Sequence, residues 1–383
     1  MDVNGFISSF AAAAFSFLVA FTLTPPVRVF AYLIGAIDIP RDGRRMHADP
    51  IPRLGGLAIF LAFFLCSAVF CKIDQTMLSV WIGGFVIVVM GVFDDIYNLH
   101  PLIKLGVQVV AALIAVAEGM TIDFISLFGH YIPLGVFAIP VTVLWIVGLT
   151  NAMNLIDGLD GLSCGVSVIS SLSLYLVMLM RGDSVSASIT LILAGACLGF
   201  LPFNTNPARI FMGDTGAQFL GYTLSLLSVS GLFKTHTVIS FFIPLSIFGF
   251  PLVDTGFAFC RRILHGQSPF HADRGHLHHR LIDMGFNQKQ TVMILYSICA
   301  ILGISAVLFS EETYLRAFLV IVIGVLLLFL YMRILRNPHA RMLSGLDAVP
   351  VIPKDEIVTP EQKAEELQEL EEDSKKHSSD SGA

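Results

Sequence analysis

The feature that most constrains this chain is a series of apolar runs, each suited to cross a lipid bilayer as a helix. A transmembrane helix crosses roughly 30 Å of hydrocarbon. Of the residues 55% are hydrophobic and only 14% are charged, whereas soluble domains carry about 25% charged residues. The sequence therefore predicts an all-α polytopic integral membrane protein with about eleven transmembrane helices. The predicted spans are residues 6–27, 55–71, 77–93, 102–117, 136–150, 162–180, 186–201, 217–233, 237–259, 291–309 and 314–335.

The basic residues predict how these spans are oriented. Lys and Arg are enriched in the cytoplasmic loops of membrane proteins. With the N-terminus outside, only four of the 23 Lys and Arg residues fall on the outer side, namely Lys72, Arg181, Lys234 and Arg316. An odd number of spans places the termini on opposite sides of the membrane. We therefore expect an external N-terminus and a cytoplasmic C-terminus.

Two segments outside the spans have patterns of their own. Residues 121–133 carry two short apolar stretches around a Phe-Gly turn, which predicts a small external β-hairpin. Residues 339–383 are rich in Glu, Lys, Ser and Asp and have little apolar surface to bury. They are predicted to form a disordered, acidic, cytoplasmic tail. The transmembrane domain, which holds every candidate for catalysis, is then residues 1–338.

Charge and cysteine content argue against several classes of function. Residues 1–338 hold nearly equal numbers of basic and acidic residues, so no nucleic-acid partner is indicated. The six cysteines are scattered without a Cys-x-x-Cys pair, which predicts neither a disulfide framework nor a cysteine-based zinc site. An ion-coupled transporter is the alternative from another class, but no internal repeat supports it.

Polar residues interrupt the apolar pattern at the end of the fifth predicted span. Asn151, Asn154, Asp157 and Asp160 recur every third residue, and buried polar groups are costly unless they bind a partner. On a helix, neighbours in such a series share a face. Asp157 and Asp160 are therefore predicted to be the working pair. The alternative interpretation is an Asn/Asp/Gly turn between two membrane helices.

Two further acidic clusters fall on the same predicted cytoplasmic side. Asp94 and Asp95 follow the third span, where two carboxylates at a helix C-terminus favour a bound cation such as Mg²⁺; a solvated turn is the alternative. Asp214 precedes the eighth span, where it either caps that helix or serves as a metal ligand. Asn204 and Phe211 offer amide hydrogen bonds and a stacking surface for a base.

The loop after the ninth span is rich in His and Arg. Residues 271–280 contain four histidines and two arginines, which indicates an anionic partner because arginine makes bidentate contacts to phosphate. Zinc is the alternative ligand, since His276 and His279 lie three residues apart, but no cysteine accompanies them. Lys104 lies inside the fourth span, and we expect it to have an acidic partner or an anionic ligand. Asp254, in the ninth span, is a supporting candidate.

These clusters indicate a magnesium-dependent reaction between a phosphorylated, water-soluble donor and an acceptor from the membrane. Four motifs occur in order: Phe93-Asp-Asp95, Asn151-x-x-Asn-Leu-Ile-Asp-Gly-Leu-Asp-Gly-Leu162, Phe211-Met-Gly-Asp-Thr-Gly216 and His276-Leu-His-His279. Over about residues 25–281, the chain resembles the polyprenyl-phosphate N-acetylhexosamine-1-phosphate transferases. The His-x-His-His motif and Pro52-Arg-x-Gly-Gly56 are similar to the bacterial undecaprenyl-phosphate GlcNAc-1-phosphate transferases of the WecA/TagO type, in the glycosyltransferase 4 family.

The resemblance implies a reaction, a cofactor and a location. Such enzymes transfer GlcNAc-1-phosphate from UDP-GlcNAc to undecaprenyl phosphate, release UMP, and use Mg²⁺ with Mn²⁺ as a substitute. The protein would lie in the bacterial plasma membrane with its active site facing the cytoplasm, and its product would enter cell-wall teichoic acid or surface polysaccharide assembly. A homodimer is compatible with this interpretation. Another donor, UDP-GalNAc or a UDP-MurNAc-pentapeptide, remains the alternative.

The resemblance also implies roles for single residues. Asp94 is the implied base for the lipid phosphate in a single displacement, and a covalent aspartyl intermediate is the competing mechanism. We expect Asp94, Asp157 and Asp214 to converge in one pocket. The implied catalytic residues are Asp94, Asp95, Asp157 and Asp160, the metal ligands are Asp214 and Asp94, and the substrate-binding residues are Lys104, Asn151, Asn154, Asn204, Phe211, His276, His278, His279 and Arg280.

Overall fold

The computed structural model describes residues 3–39, 50–127, 130–233, 241–266, 275–311 and 313–336. The chain divides into two units, Met1–Met332 and Arg333–Ala383. The first unit contains almost all the described structure and is mostly helical. Only the last residues of the final helix are described in the second unit, so the predicted acidic tail lies outside the described residues.

Most helices follow the predicted apolar runs, which end near Gly, Pro or polar residues, but the first helix continues past Pro25 and Pro26 to Ile34. A 3₁₀ turn, Gly135–Phe137, precedes the fifth helix, and a π-helical turn, Val229–Phe233, follows the eighth. The helices are α1 (Val3–Ile34), α2 (Gly55–Phe70), α3 (Gln75–Tyr97), α4 (Pro101–Ala117), α5 (Ala138–Leu155), α6 (Leu162–Met180), α7 (Ser184–Asn204), α8 (Gly213–Ser228), α9 (Phe242–Ile247), α10 (Gly249–Leu264), α11 (Leu277–Asp283), α12 (Gln288–Ser310) and α13 (Tyr314–Arg336).

Seven helical segments in the described part of the chain are long and apolar enough to cross a membrane. They comprise α1, α3, α5 with its preceding 3₁₀ turn, α6, α7, α12 and α13, while α2 and α4 are shorter apolar helices. This confirms a mostly helical polytopic membrane protein. The number of eleven spans and the orientation of the termini stay predictions.

The ninth predicted span, residues 237–259, is not one helix. Residues 234–240 lie outside the described part, α9 ends at Ile247, and α10 begins at Gly249. Pro251 explains the interruption, because its ring would clash with the carbonyl of Ile247 in a continuous helix and its nitrogen has no hydrogen to donate. Phe248, between the two helices, has ψ near 16° rather than a helical value.

Two pairs of short strands lie between the helices. Strands β1 (Ile37–Asp38) and β2 (Ile51–Pro52) pair antiparallel beside the start of α2. Strands β3 (Phe124–Leu127) and β4 (His130–Pro133) form the predicted hairpin, with Ile125 opposite Ile132. The hairpin is thus confirmed, whereas its external location stays a prediction.

Helix α8 lies at the centre of the bundle and packs against α2, α3 and α5. Its residues from Thr215 to Ser228 are all buried. Glycines on the neighbouring helices allow backbones to approach its first turn, as small residues do between membrane helices. A Cβ atom added to Gly56 would lie 2.1 Å from the Cα of Gly216, and one added to Gly91 would lie 2.4 Å from the Cα of Thr215. This packing brings the end of α3 beside the start of α8.

Candidate active site

Three charged side chains from different helices meet at the end of α3. The Nζ atom of Lys104 lies 2.7 Å from Oδ2 of Asp94 and 2.9 Å from Oδ2 of Asp214. The second oxygen of Asp94 accepts a hydrogen bond from the backbone N–H of Leu99 at 2.7 Å. The ammonium group thus balances two carboxylates that would otherwise repel each other. The expected acidic partner of Lys104 is therefore present twice.

Asp95 has a different environment from its neighbour Asp94. Its side chain is fully buried, and its carboxylate accepts hydrogen bonds from the backbone N–H groups of Asp214 at 2.9 Å and Thr215 at 3.1 Å. The Thr215 hydroxyl donates a third, at 2.6 Å. Asp95, on α3, therefore accepts hydrogen bonds from backbone N–H groups in the first turn of α8, which have no partner within their own helix. These contacts give Asp95 a positioning role, and its catalytic role stays a prediction.

Asp214 does not cap α8, which was the simpler interpretation of its position. It is the second residue of that helix, and its carboxylate turns toward Lys104 and the side chains of Asn154 and Gln218. Asn154 donates to its Oδ2 atom at 3.4 Å and Gln218 at 3.1 Å. Because Asp95 has taken over the capping role, the Asp214 side chain is available for the cleft.

The polar stretch after α5 is a turn, so the expectation that Asp157 and Asp160 share a helix face is wrong. Helix α5 ends at Leu155, and α6 begins only at Leu162, after Gly161 with φ +78°. Desolvation raises the pKa of Asp157 well above its usual value, and the nearby charges of Asp214 and Asp95 raise it further. A cation close to Asp157 would relieve both effects.

Asp160 faces the loop between α7 and α8. Its Oδ2 atom accepts hydrogen bonds from the side chain of Asn206 at 2.9 Å and the backbone N–H of Ala208 at 3.1 Å. Asn206 also donates to Oε1 of Gln288 at 2.6 Å. Asp160 therefore ties the turn after α5 to this loop and to the first residue of α12, while it also lines the cleft described below.

Helix α11 carries the histidines of the His-x-His-His motif. Nδ1 of the buried His276 lies 2.8 Å from Oδ2 of Asp254, whose other oxygen accepts the backbone N–H of Leu277 at 2.7 Å. His278 is buried as well, with its ring close to Gly158. Burial lowers the pKa of His278 to about 4, and the charges of His279 and His276 lower it further. Asp254 thus anchors the helix that presents these imidazoles, and its supporting role in the site stays a prediction.

A cleft of about 440 Å³ lies between these elements. Its walls come from the turn after α5, the start of α8, α11, and the residues around β1 and β2. Seven of the predicted site residues line it: Asn154, Asp157, Asp160, Asn204, Phe211, Asp214 and His279. The other lining residues are Asp38, Arg53, Gly158, Leu159, Met212, Gly213, Ile282, Asp283 and Gln288.

The remaining predicted residues relate to the cleft in different ways. Asp94 and Lys104 reach it through Asp214, and His276 and His278 support the helix that carries His279. Asn151 contacts Gln108 rather than the cleft. Arg280 is exposed and is absent from the cleft lining, so its binding role stays a prediction. Residues 267–274, including the first histidine and arginine of the predicted loop, lie outside the described residues.

Sequence reasoning missed several site residues. Arg53 lies 3.7 Å from Asp95 and 3.5 Å from Asp38, through Nε and Nη1 respectively. The sequence placed Arg53 in the Pro-Arg-x-Gly-Gly motif but predicted no contact for its side chain. Gln108 and Gln218 are fully buried amides inside apolar helices, and a search for polar residues within predicted spans would have found both.

The side chains at the cleft fit a hard divalent cation better than zinc. Asp157 and Asp214 supply carboxylate oxygens and Asn154 an amide, and Mg²⁺ is usually held by one or two carboxylates with water and substrate phosphates. Among the described residues, no group of three or more His, Cys, Asp or Glu side chains is arranged to hold a metal ion. The Mg²⁺ site and the zinc alternative both stay predictions.

The chain is similar in sequence to bacterial enzymes that have closely related names. The sequence profile of glycosyl transferase family 4 matches residues 77–232. A probable undecaprenyl-phosphate N-acetylglucosaminyl 1-phosphate transferase of Bacillus subtilis is 42% identical over 314 residues, covering 80% of this chain and 87% of that protein. A decaprenyl-phosphate N-acetylglucosaminephosphotransferase of Mycobacterium tuberculosis is 34% identical, covering 76% and 79%. An undecaprenyl-phosphate alpha-N-acetylglucosaminyl 1-phosphate transferase of Thermotoga maritima is 33% identical, covering 82% and 94%.

Proposed function

Because this chain belongs to glycosyl transferase family 4, we infer that it is an enzyme that transfers N-acetylglucosamine 1-phosphate to a polyprenyl phosphate. The similarity to the Bacillus subtilis transferase over 80% of the chain carries this conclusion. It spans the turn after α5, the start of α8 and α11, which together form the cleft. We propose UDP-GlcNAc as the donor, undecaprenyl phosphate as the acceptor, and UMP as the second product.

The chemistry of the cleft suits a nucleotide sugar. Its lining combines amides, carboxylates and an imidazole with Arg53, a group that binds phosphate well. Phe211 offers an aromatic face for the uracil ring, and Asn204 has a buried Oδ1 atom without a hydrogen-bond partner in the described structure. A buried acceptor of this kind is stabilised when a ligand N–H reaches it. We propose that these two residues bind the nucleotide end of the donor.

We propose that Asp214 and Asp157 hold a Mg²⁺ ion, for which Mn²⁺ can substitute. When bound, the ion would neutralise charge on the diphosphate and on the departing UMP. Asp94 was also a predicted ligand, but its Oδ2 atom is 2.7 Å from the ammonium of Lys104 and it is absent from the cleft lining. We therefore favour Asp157 as the second ligand, and the metal role of Asp94 stays a prediction.

The acceptor is proposed to approach along Lys104 and Asp94. The ammonium group attracts the lipid phosphate, and Asp94 accepts its proton when that phosphate arrives protonated. An oxygen of the lipid phosphate then attacks the β-phosphorus of UDP-GlcNAc, and the bond from that phosphorus to the oxygen bridging to UMP breaks. Phosphoryl transfer depends mainly on alignment and charge neutralisation, which the charged groups from α3, α4 and α8 provide. A covalent aspartyl intermediate remains the competing mechanism.

The location of this reaction is also a proposal. The seven membrane-compatible helical segments support a multi-pass membrane protein, and the bias of basic residues supports a cleft that opens to the cytoplasm of a bacterial cell. Nucleotide sugars are charged and do not cross the bilayer, so a cytoplasmic cleft would have direct access to them. A homodimer stays a prediction.

Purified protein tests the proposed reaction directly. It would be mixed with undecaprenyl phosphate and one UDP-sugar at a time, with Mg²⁺, with Mn²⁺ or with EDTA, and UMP release would be measured. We expect release with UDP-GlcNAc in either metal and none in EDTA. UMP release with UDP-GalNAc or UDP-MurNAc-pentapeptide alone would show that this sugar, and not UDP-GlcNAc, is the donor. Full UMP release in EDTA would show that the reaction needs no metal ion. No release with any donor would contradict the proposed function.

A further inference from the structure

Three amide side chains, of which two are buried and one is half-buried, connect the interior of the bundle to Asp214. We call Asn151, Gln108 and Gln218 the amide chain. The Nδ2 atom of Asn151 donates to Oε1 of Gln108 at 2.6 Å, and Nε2 of Gln108 donates to Oε1 of Gln218 at 2.7 Å. Nε2 of Gln218 then donates to Oδ2 of Asp214 at 3.1 Å. These residues come from α5, α4 and α8, so three helices meet in one series of hydrogen bonds.

The direction of the amide chain is fixed by its two ends. Asp214 carries a carboxylate and can only accept, and the far end is the backbone carbonyl of Val147, to which Asn151 donates at 2.8 Å. Reversing any one amide would set an oxygen against an oxygen or an NH₂ group against an NH₂ group. Because Gln108 is 2% exposed and Gln218 is 0% exposed, water does not compensate for such a mismatch. Gln108 and Gln218 are therefore ordered together, with the half-buried Asn151 at the far end of the series.

The consequence of this order falls on one oxygen of Asp214. Lys104 at 2.9 Å, Gln218 at 3.1 Å and Asn154 at 3.4 Å all donate to Oδ2. These contacts hold the carboxylate in one rotation while Asp214 lines the cleft. Groups that orient a metal ligand in this way raise metal affinity or activity, and their loss typically lowers either about 10- to 100-fold.

We propose that Gln218 and Gln108 are positioning residues that orient the Asp214 carboxylate toward a divalent cation, an inference that rests on the proposed function. Gln218 acts on Asp214 directly. Gln108 acts through Gln218. The NH₂ group of Gln108 donates to the side-chain carbonyl of Gln218, so the NH₂ group of Gln218 is the end that faces Asp214. Neither glutamine lines the cleft, so neither is expected to contact substrate.

The test compares Gln218→Met, Gln108→Met and the double variant, since methionine keeps the length of glutamine but cannot donate. Two quantities would be measured in full-length protein in detergent: the Mg²⁺ concentration for half-maximal UMP release, and the rise of Tm on adding Mg²⁺ without substrates. We expect each single variant to need roughly tenfold more Mg²⁺ and to show a smaller rise of Tm. The double variant should resemble Gln218→Met, because Gln108 acts only through Gln218.

Thr223→Val is the matched control. Thr223 lies on α8, is fully buried, and its hydroxyl has no hydrogen-bond partner within the described structure. The variant therefore removes a buried polar group from the same helix and leaves the amide chain intact. This control should keep the Mg²⁺ dependence of the parent. Parent-like Mg²⁺ dependence in both single variants, or losses that multiply in the double variant, would overturn the inference. If Gln218→Met does not fold, Gln108→Met alone decides, since parent-like Mg²⁺ dependence there contradicts the coupling.

The same experiment separates this inference from the proposed reaction. A parent protein that releases no UMP but gains Tm with Mg²⁺ would contradict the reaction, and the Tm comparison would still test the amide chain. A parent protein that responds to Mg²⁺ in neither measurement would contradict the inference itself.

Discussion

The carboxylate of Asp95 accepts two hydrogen bonds from Thr215, one from the hydroxyl at 2.6 Å and one from the backbone N–H at 3.1 Å. These two residues lie 120 positions apart in the sequence. Through them the end of α3 is fixed to the first turn of α8, and Asp214, the residue before Thr215, is held beside Asp94. The two adjacent acids of the Phe-Asp-Asp motif therefore have different roles: Asp95 positions α8, and Asp94 faces Lys104.

Replacing Asp95 should reduce stability as well as activity. In Asp95→Asn, an NH₂ group faces a backbone donor of α8 that then lacks an acceptor, at a cost of about 1 to 3 kcal/mol. We expect a lower Tm in detergent together with reduced UMP release. Asp74→Asn is the matched control, because Asp74 caps α3 at an exposed site through Met77 and asparagine caps helices equally well. An unchanged Tm for Asp95→Asn would contradict the positioning role.

Replacing Lys104 should reduce turnover more than stability. Lys104→Met leaves Asp94 and Asp214 without the ammonium group that lies between them and removes the proposed attraction for the lipid phosphate. We expect kcat to fall roughly 100-fold, as when one preorganised charge is lost from an active site. Lys72→Met, at an exposed position between α2 and α3, should keep parent activity. Near-parent kcat in Lys104→Met would show that this lysine does not serve the reaction.

Stability should fall below neutral pH because of His278. Its pKa is about 4 in the folded protein, against an ordinary value of 6.5, mainly because burial disfavours the charged ring. Between these values the unfolded chain binds a proton that the folded protein does not, so stability increases with pH. The contribution from His278 should drop by about 2 kcal/mol from pH 7 to pH 5.

The variant His278→Gln isolates this effect, since glutamine does not titrate. We expect the decrease of Tm between pH 7 and pH 5 to be smaller in the variant than in the parent. His276, His279 and Asp254, which surround His278, are present in both proteins, so their effects on Tm largely cancel in the comparison. Equal decreases of Tm in the two proteins would mean that His278 is not buried in the neutral form.

Adding a methyl group at Gly158 should disturb the histidines of α11. A Cβ atom there would lie 2.8 Å from Nε2 of His278, so the ring must move and shift the neighbouring His279 in the cleft. We expect Gly158→Ala to raise KM for UDP-GlcNAc about tenfold, in line with about 1.4 kcal/mol of lost binding. The second change His278→Ala should restore part of this loss by making room.

Gly148→Ala controls for the loss of a glycine. Gly148 lies on α5 with open space where its Cβ would project, and alanine favours a helix by up to about 1 kcal/mol over glycine. This variant should keep the parent KM and a parent or higher Tm. If Gly158→Ala also keeps the parent KM, the contact between the turn and α11 does not serve donor binding.

The sequence determined most of the helices by itself. Apolar runs end near Gly, Pro or polar residues, and these local signals place most of the helices, although α1 continues past Pro25 and Pro26 to Ile34. The same local information predicted the hairpin of β3 and β4. It also picked out the acids, amides and histidines of the site, because polar groups in apolar surroundings are costly unless they have a function.

Only the tertiary structure decided what each of these residues contacts. The sequence series from Asn151 to Asp160 suggested one helix, but the chain turns after Leu155, and Asp160 contacts Asn206 and Ala208 in the loop before α8. Asp95 satisfies a helix that begins more than a hundred residues later, and Gln108 orders Gln218 across 110 positions. Such contacts depend on which helices pack together and on how far each helix is shifted along its axis relative to its neighbour. Sequence spacing encodes the period of a helix but not the neighbour it meets, so these roles emerge only when the bundle is assembled.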